Sequence, residues 1–503
     1  LDADAVFSTE PRSLNVYHPA TGTVVGRVTI TPSDEVHQAA TRARAAQSVW
    51  GSTRWENRRE VLRRLWTELS REAETWADAI RDEIGKPRSE SMGEVVMGLD
   101  GIRWTVKYGQ RALCDERFGA GWQRAMLIPG GRLGYRPLGV IGIIGTWNYP
   151  FFLNAPAIVQ ALAAGNGVVW KPSELALGCG ERLQHAFDRA GFPEGLVSAV
   201  YGGADVGSAL VESAIDKGVF TGGLENGRRV LGALASRGIP SVAELSGFDP
   251  AIVLPDAPRD ATVRALTWGA FVGAGQTCVS VKRAYIIGNA TPWVEALAAA
   301  ASALRQGDPS REAVDVGPMI SESARQRFHD RIQAAVQAGA TIVSGGAPLS
   351  REGWFYAPTV LTAKTDAVEP ILEGVFGPVV LVRGVGDIDA AVRAANSSVF
   401  GLAASVWGTD RRRLRSVAER LQAGLVTLND VITPAGHASA PFGGTKASGF
   451  GRTHGVLGLR EFTFPQAVIG RRGPGGFRPQ LFPYRQGMER LLSWYVRFFH
   501  PHA

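Results

Sequence analysis

Between Pro137 and Trp170 no residue carries a charge. A run of that length could cross a bilayer as one helix, which needs about 20 apolar residues. Asn148, Pro150, Asn154, Pro156 and Gln160 interrupt it, together with several glycines. A lipid-facing helix tolerates such breaks poorly. The other reading is a buried strand, GVIGIIGTW, a turn at Asn148–Pro150, a helix from about Pro156 to Ala164, and a second strand, GVVWK, that ends at Lys171. Strand, helix and continuous apolar strand mark a parallel sheet covered on both faces.

The alternation continues downstream. Helices are predicted at 180–190, 205–212 and 227–235, between strands at 197–201, 217–221 and 240–245. This pattern predicts a doubly wound α/β domain. A second alternating block runs from Ala251 to about Thr427, with strands expected at 251–254, 284–287, 341–344 and 379–382. The region from Ser33 to Leu113 is helical in pattern and rich in Arg/Glu pairs, and reads as an outer layer with a solvated, charged face. RRGPGGFR, at 471–478, is the clearest linker.

Composition narrows the class. Of the 503 residues, 45% are hydrophobic and 20% charged, which excludes disorder as the main state. Three scattered cysteines, Cys114, Cys179 and Cys278, are too few for a disulfide framework or a zinc site, and no metal is expected. They point to a reducing compartment, and the first residues show neither a basic region nor an apolar one of signal-peptide type. A cytoplasmic location is expected.

Chemistry concentrates at a few positions. Cys278 lies in GAGQTCVSVKR among glycines and small residues, where its N–H is open to a ligand oxygen. A lone cysteine is commonly a small buried hydrophobe, the reading given to Cys114 and Cys179, and a nucleophile only in company. Glu244 ends an apolar strand before a glycine turn, and Asn148 follows another strand. Both then stand at the edge where α/β sheets bind ligands. Each also has a plain reading, a solvated carboxylate and a turn-former. Lys171 and Glu174 in WKPSE follow a third strand, and FTGGLENG at 220–227 is a glycine-rich strand-to-helix turn suited to a diphosphate.

In this order and spacing the pieces resemble the aldehyde dehydrogenase superfamily, from about Asn15 to Ala467. The resemblance rests on HPATG, EIGKPRSES, PLGVIGIIGTWNYP, WKPSE, FTGGLENG, AELSGFDP, GAGQTCVSVKR, VFGPV, LND and PFGGTKASGFGRTHG. It implies a Rossmann-like cofactor-binding domain (1–115 and 137–247), an α/β catalytic domain (248–440), a small β oligomerisation flap (116–136 and 441–472), and a homodimer or homotetramer. It also implies that Cys278 attacks an aldehyde as a thiolate, that Asn148 and the Cys278 N–H hold the oxyanion, and that Glu244 activates the water that hydrolyses the thioester. Members that pass the acyl group to coenzyme A commonly lack a Glu here, so a free carboxylate is the expected product. For the cofactor the resemblance implies Lys171 and Glu174 at the adenosine ribose, which favours NAD over NADP. It further implies Gly222, Gly223, Gly227, Thr146, Trp147 and Leu245 around the dinucleotide, and Phe376 beside the nicotinamide. Tyr149 and Phe442 match the substrate tunnel, which suits an apolar aldehyde.

Three departures stand out. Gly223 replaces a common Ser, Ser246 and Phe248 replace Gly and Lys beside Glu244, and the usual ribose-binding Glu position holds Gly374, with the carboxylate one residue earlier at Glu373. A catalytically weak relative acting as a membrane-associated or scaffold protein is the alternative.

The formal charge of +7 hints at an anionic partner such as nucleic acid, but residues 471–503 carry six Arg and one Glu, so the rest of the chain holds only +2. No nucleic-acid motif is present. A helix from about Arg485 to His500 would set Met488, Leu491, Leu492, Tyr495 and Phe499 opposite Gln486, Arg490, Ser493, Arg497 and His500. Residues 473–503 then either touch an anionic membrane peripherally or dock on protein.

Overall fold

Val140–Ile144 (β1) is the hub of the first sheet. The computed structural model describes residues 12–119, 129–470, 481–483 and 487–500. Around β1 lie Gly167–Lys171 (β2), Val197–Ala199 (β3), Lys217–Thr221 (β4) and Ser241–Glu244 (β5). Their order is β5-β4-β1-β2-β3, all parallel, with the short antiparallel pair member Gly449–Phe450 beyond β5. All five residues of β2 are buried, as its unbroken apolar run requires. The chain leaves β1 towards β2 on one side and later returns on the other side at β4, so the topological switch point falls between β1 and β4. Ligands bind at the carboxyl ends of strands at such points.

The second sheet has seven strands. They are Asp249–Val253 (β6), Val281–Ile287 (β7), Ala340–Ser344 (β8), Thr359–Ala363 (β9), Val379–Val385 (β10), Ala403–Trp407 (β11) and Leu425–Leu428 (β12). The order is β8-β9-β10-β7-β6-β11-β12, and only β8 runs antiparallel to its neighbour. Its core includes Leu266, Phe271, Ala284, Val360, Val380 and Val382.

The N-terminal helical region contains Ser33–Ser52, Trp55–Arg71, Ala73–Ile84 and the long Arg88–Leu113 (α1). A solvated face describes only part of it. Leu62, Leu65, Leu69, Trp76 and Ile80 are fully buried, as is the charged Glu94, and the charged Glu83 and Lys86 are nearly so. Gly85 ends the third helix in the left-handed conformation (φ 81°), where an added Cβ would meet the Pro318 and Pro19 rings. Three further helices matter below: Ala155–Ala163 (α2), Leu224–Ser236 (α3) and Glu322–Gln337 (α4).

Residues 113–136 and 465–503 form a second compact unit, and the remaining residues form the first. The second unit draws on a three-stranded sheet of Glu116–Phe118, Gly131–Pro137 and Thr463–Ile469. It also contains Met488–Phe499 (α5). The linker at 471–478 and the expected first turn of the tail helix, 485–486, lie outside the described residues. Among the described residues no helix is long and apolar enough to cross a membrane. The buried reading expected of Cys114 is corrected: it is exposed, whereas Cys179 is buried.

Candidate active site

The carboxyl ends of β1, β4 and β5 open into a cavity of about 750 Å³. Thr146, Trp147 and Asn148 enter from β1, Gly222 and Gly223 from β4, and Glu244, Leu245 and Ser246 from β5. Cys278 completes the wall from the turn that leads into β7, and Phe376 and Phe442 face the same space. Sheet register explains the meeting. Ile144 pairs with both Lys171 and Phe220, and Thr221 with Glu244, so all these strands end at one level.

The Cys278 turn is unusual in its backbone. Gly273, Ala274 and Gly275 have φ of 61°, 54° and 66° in succession. A non-glycine residue in this region is uncommon and stores strain that neighbours must hold. An added Cβ on Gly275 would lie 2.2 Å from the Gly377 carbonyl oxygen. Lys282 pins the turn there, donating from Nζ to Gly275 O (2.8 Å) and Gly377 O (2.6 Å). Burial lowers the Lys282 ammonium to about 7.

Asn148 is buried and fixed on both sides. Its Oδ1 accepts from Thr146 Oγ1 at 2.9 Å, and its Nδ2 donates to Gln276 O at 3.0 Å. The two bonds set the amide's orientation, with the NH2 directed to the Cys278 turn. Glu244 is 7% exposed, and neither carboxylate oxygen has a hydrogen-bond partner among the described residues. Burial pushes its carboxyl well above the usual range, against the opposing pull of Arg452. A buried, unpaired carboxyl is costly as structure and suited to handling a proton. Burial pushes the Cys278 thiol up to about 12, with Asp249 and Glu244 adding repulsion. The thiol is therefore neutral at rest and must lose its proton as it attacks.

The departures beside Glu244 also have a structural account. Phe248 is buried, with the Arg283 guanidinium 4.5 Å above its ring, and Arg283 Nε donates to Phe248 O at 3.0 Å. Ser246 lines the cavity.

The β4–α3 turn presents an uncapped helix N-terminus. Gly223 is the N-cap and has no side-chain bond, and a Cβ there would meet nothing within 4 Å. Gly227 lets α3 approach β5, since a Cβ would be 2.5 Å from Leu245 Cδ2. A helix N-terminus at the switch point with no side-chain cap, whose first-turn carboxylate Glu225 is paired with Arg229, fits the diphosphate of a nicotinamide dinucleotide. Lys171 stands at the end of β2, donating to Gly202 O (2.7 Å), Pro172 O (2.9 Å) and Glu174 Oε2 (3.2 Å). Neither Lys171 nor Glu174 lines the central cavity. The half-exposed Glu174 carboxylate leaves a hydroxyl acceptor at the strand edge.

Two expected residues point elsewhere. Tyr149 is absent from the cavity wall: its hydroxyl pairs with Thr277 Oγ1 at 2.9 Å, and its ring lies against Lys86. Glu373 is also off the wall, its Oε1 accepting from Val399 N at 3.2 Å, while Gly374 takes φ 68° and lines the cavity. Phe152 and His454 are wall residues that the sequence reading missed. The His454 ring stacks on Phe442 (centroids 6.0 Å apart, 29°) and lies 5.3 Å from the Phe152 ring. Burial lowers His454 to about 4, so it faces the cavity as a neutral ring. The only signal for it was its place in FGRTHG, where the residue's direction is not legible.

Comparison with known proteins places this geometry. Residues 6–468 match the model of the aldehyde dehydrogenase family. The 4,4'-diapolycopene aldehyde oxidase of Methylomonas sp is 34% identical over 469 residues, covering 93% of this chain and 87% of that protein. Succinate semialdehyde dehydrogenase, NAD(P)+, of Escherichia coli (strain K12) is 33% identical over 455 residues, covering 90% and 96%. The solved structure of a cysteine-to-alanine mutant of aldehyde dehydrogenase C from Pseudomonas syringae, complexed with NAD+ and octanal, superposes with a TM-score of 0.87 at 32% identity, covering 93% and 95%.

Proposed function

From the premise that the chain belongs to the aldehyde dehydrogenase family, and so oxidises an aldehyde with a nicotinamide dinucleotide, we propose which residues perform the reaction and on what kind of substrate. The carrying observation is that Cys278, Asn148 and the unpaired Glu244 carboxyl converge on one cavity.

Cys278 Sγ adds to the aldehyde carbon, and its proton passes to solvent water as the S–H bond breaks and the S–C bond forms. The carbonyl oxygen becomes an oxyanion, held by the second N–H of the Asn148 amide and by the Cys278 N–H. Each such donor lowers the barrier by about 3–4 kcal/mol in comparable sites. The bound dinucleotide supplies the hydride acceptor, and loss of hydride leaves a thioester on Cys278. Glu244 takes a proton from water as it attacks the thioester, the C–S bond breaks, and the carboxylate departs. Retention of all three groups in one pocket favours this enzyme over the weak-relative alternative.

We assign NAD over NADP. A carboxylate such as Glu174 accepts from ribose hydroxyls and repels a 2′-phosphate, and Lys171 is already engaged by two carbonyls and Glu174. The substrate is an apolar aldehyde, supported by the Phe152, Phe442 and neutral His454 wall, by a relative solved in complex with octanal and by one named for diapolycopene aldehyde. We place the enzyme in the cytoplasm as a homodimer or homotetramer, with residues 473–503 resting on the inner face of an anionic membrane.

The test is NADH formation across aldehydes of graded chain length and charge, with Cys278→Ser as the blank and NADP in parallel. Higher kcat/KM with NAD and with medium or long apolar chains is expected. Preference for NADP, or for a dicarboxylic semialdehyde, would overturn the corresponding assignment.

A further inference from the structure

Lys86, between the third helix and α1, and Glu90 and Glu94, in the first two turns of α1, are ionisable groups that the reaction does not use. Glu94 is fully buried, and Lys86 nearly so. Glu94 Oε2 accepts from Lys86 Nζ at 2.6 Å. Glu94 Oε1 accepts from two backbone groups, Phe151 N at 2.9 Å and Phe152 N at 3.3 Å. Lys86 Nζ also lies 3.5 Å from the centre of the Tyr149 ring, whose hydroxyl meets Thr277 Oγ1. One turn further back, Glu90 Oε2 accepts from Gly273 N at 2.9 Å.

These contacts fall on two short stretches of chain. One, 149–152, follows Asn148. The other, 273–277, precedes Cys278. A buried ion pair is a poor device for stability alone, since the desolvation of both ions offsets much of their attraction. It is a good device for position, because charge-assisted bonds to backbone N–H groups are short and directional. The distance from the Asn148 amide to the Cys278 turn sets the oxyanion site, and donors must lie where the oxyanion forms to lower the barrier.

We propose that Glu94, with Lys86 as its counter-ion, is a positioning residue that holds the Asn148 turn at the distance the oxyanion requires. The inference rests on the reading of Asn148 as an oxyanion donor. Glu94→Gln keeps the shape of the side chain but weakens the bonds to Phe151 N and Phe152 N and leaves Lys86 without its carboxylate.

The experiment is a double-mutant cycle on kcat, at saturating aldehyde and cofactor, for Glu94→Gln, Asn148→Ala and the pair. Asn148→Ala should lower kcat by about 10²–10³. Glu94→Gln should lower it by about tenfold or more in the native background and by less than about twofold beside Asn148→Ala, since coupled groups are non-additive. The KM for the cofactor should stay unchanged in every variant, which a general loosening of the fold would not leave so. An equal loss in both backgrounds, or a folded Glu94→Gln enzyme within about twofold of native kcat, overturns the proposal. An Asn148→Ala enzyme with native kcat overturns the oxyanion reading and this inference with it. Should Glu94→Gln fail to fold, Lys86→Met takes its place in the same cycle with the same expectation.

Discussion

At the scale of single residues, the proposed reaction turns on two raised proton affinities. The Cys278 thiol is pushed up to about 12 and the Glu244 carboxyl well above its ordinary value, both mainly by burial. Protonated Glu244 cannot take a proton from water and protonated Cys278 is a poor nucleophile, so both steps gain as pH rises. kcat and kcat/KM should therefore climb from neutral into alkaline pH, and a profile that peaks on the acid side would contradict this. His454 has the opposite sign. Its folded value is depressed to about 4 by burial, whereas an unfolded histidine titrates near 6.5. The unfolded state then binds the extra proton, so stability is lost as pH falls from about 6.5 towards 4, by roughly 2–3 kcal/mol. Thermal melts of His454→Phe over that range should show a flatter decline than the native protein. Cys278, Glu244 and Asn148 were legible in the sequence because each sits beside glycine or a strand end in a distinctive string. The directions of Tyr149 and Glu373 were not legible, because a string gives a residue's place and not its direction. Tyr149 turns to Thr277, and Glu373 turns to Val399 N.

At the scale of elements, strand type and order were readable from apolar runs, and helix edges less so. α3 begins at Leu224, three residues before the expected start, because Gly223 serves as a bare N-cap with φ −71° and ψ 151°. The helix therefore starts directly after the glycine pair that lines the cavity. A Cβ at Gly223 meets open space, so Gly223→Ser should be accommodated and add one donor for the diphosphate. The gain is about 1 kcal/mol, or roughly a fivefold lower KM for NAD. An unchanged or higher KM would show that the cofactor does not sit on this helix end. The helical region 33–113 was the least legible element. Its Arg/Glu pairs suggested solvated faces, yet Lys86 and Glu94 turn inward. Surface charge and buried charge look alike in sequence, since only the partner across the interior distinguishes them.

For the whole molecule the charge is unevenly placed. Residues 471–503 carry +5 of the +7, which leaves +2 for the other 470 residues. In α5, Leu491, Leu492, Trp494, Val496 and Phe498 are exposed, and at helical spacing Arg490 and Arg497 fall opposite Met488, Leu492, Tyr495 and Phe499. An amphipathic helix with a basic polar face lies along an anionic bilayer surface and does not span it. The full chain should float with anionic phospholipid vesicles, less so at high salt. A chain lacking 473–503 should stay in the soluble fraction and keep its kcat on short aldehydes. Equal flotation of both chains would end the membrane assignment.

In the proposed reaction, one cavity brings Cys278 and Glu244 together as nucleophile and base. The most direct test is a single-turnover experiment on Glu244→Gln with an apolar aldehyde and NAD, followed by mass analysis of the Cys278 peptide. A rapid burst of about one NADH per active chain is expected, then a stall, with the acyl group retained on Cys278. Steady native turnover, or a burst that leaves Cys278 unmodified, would contradict it.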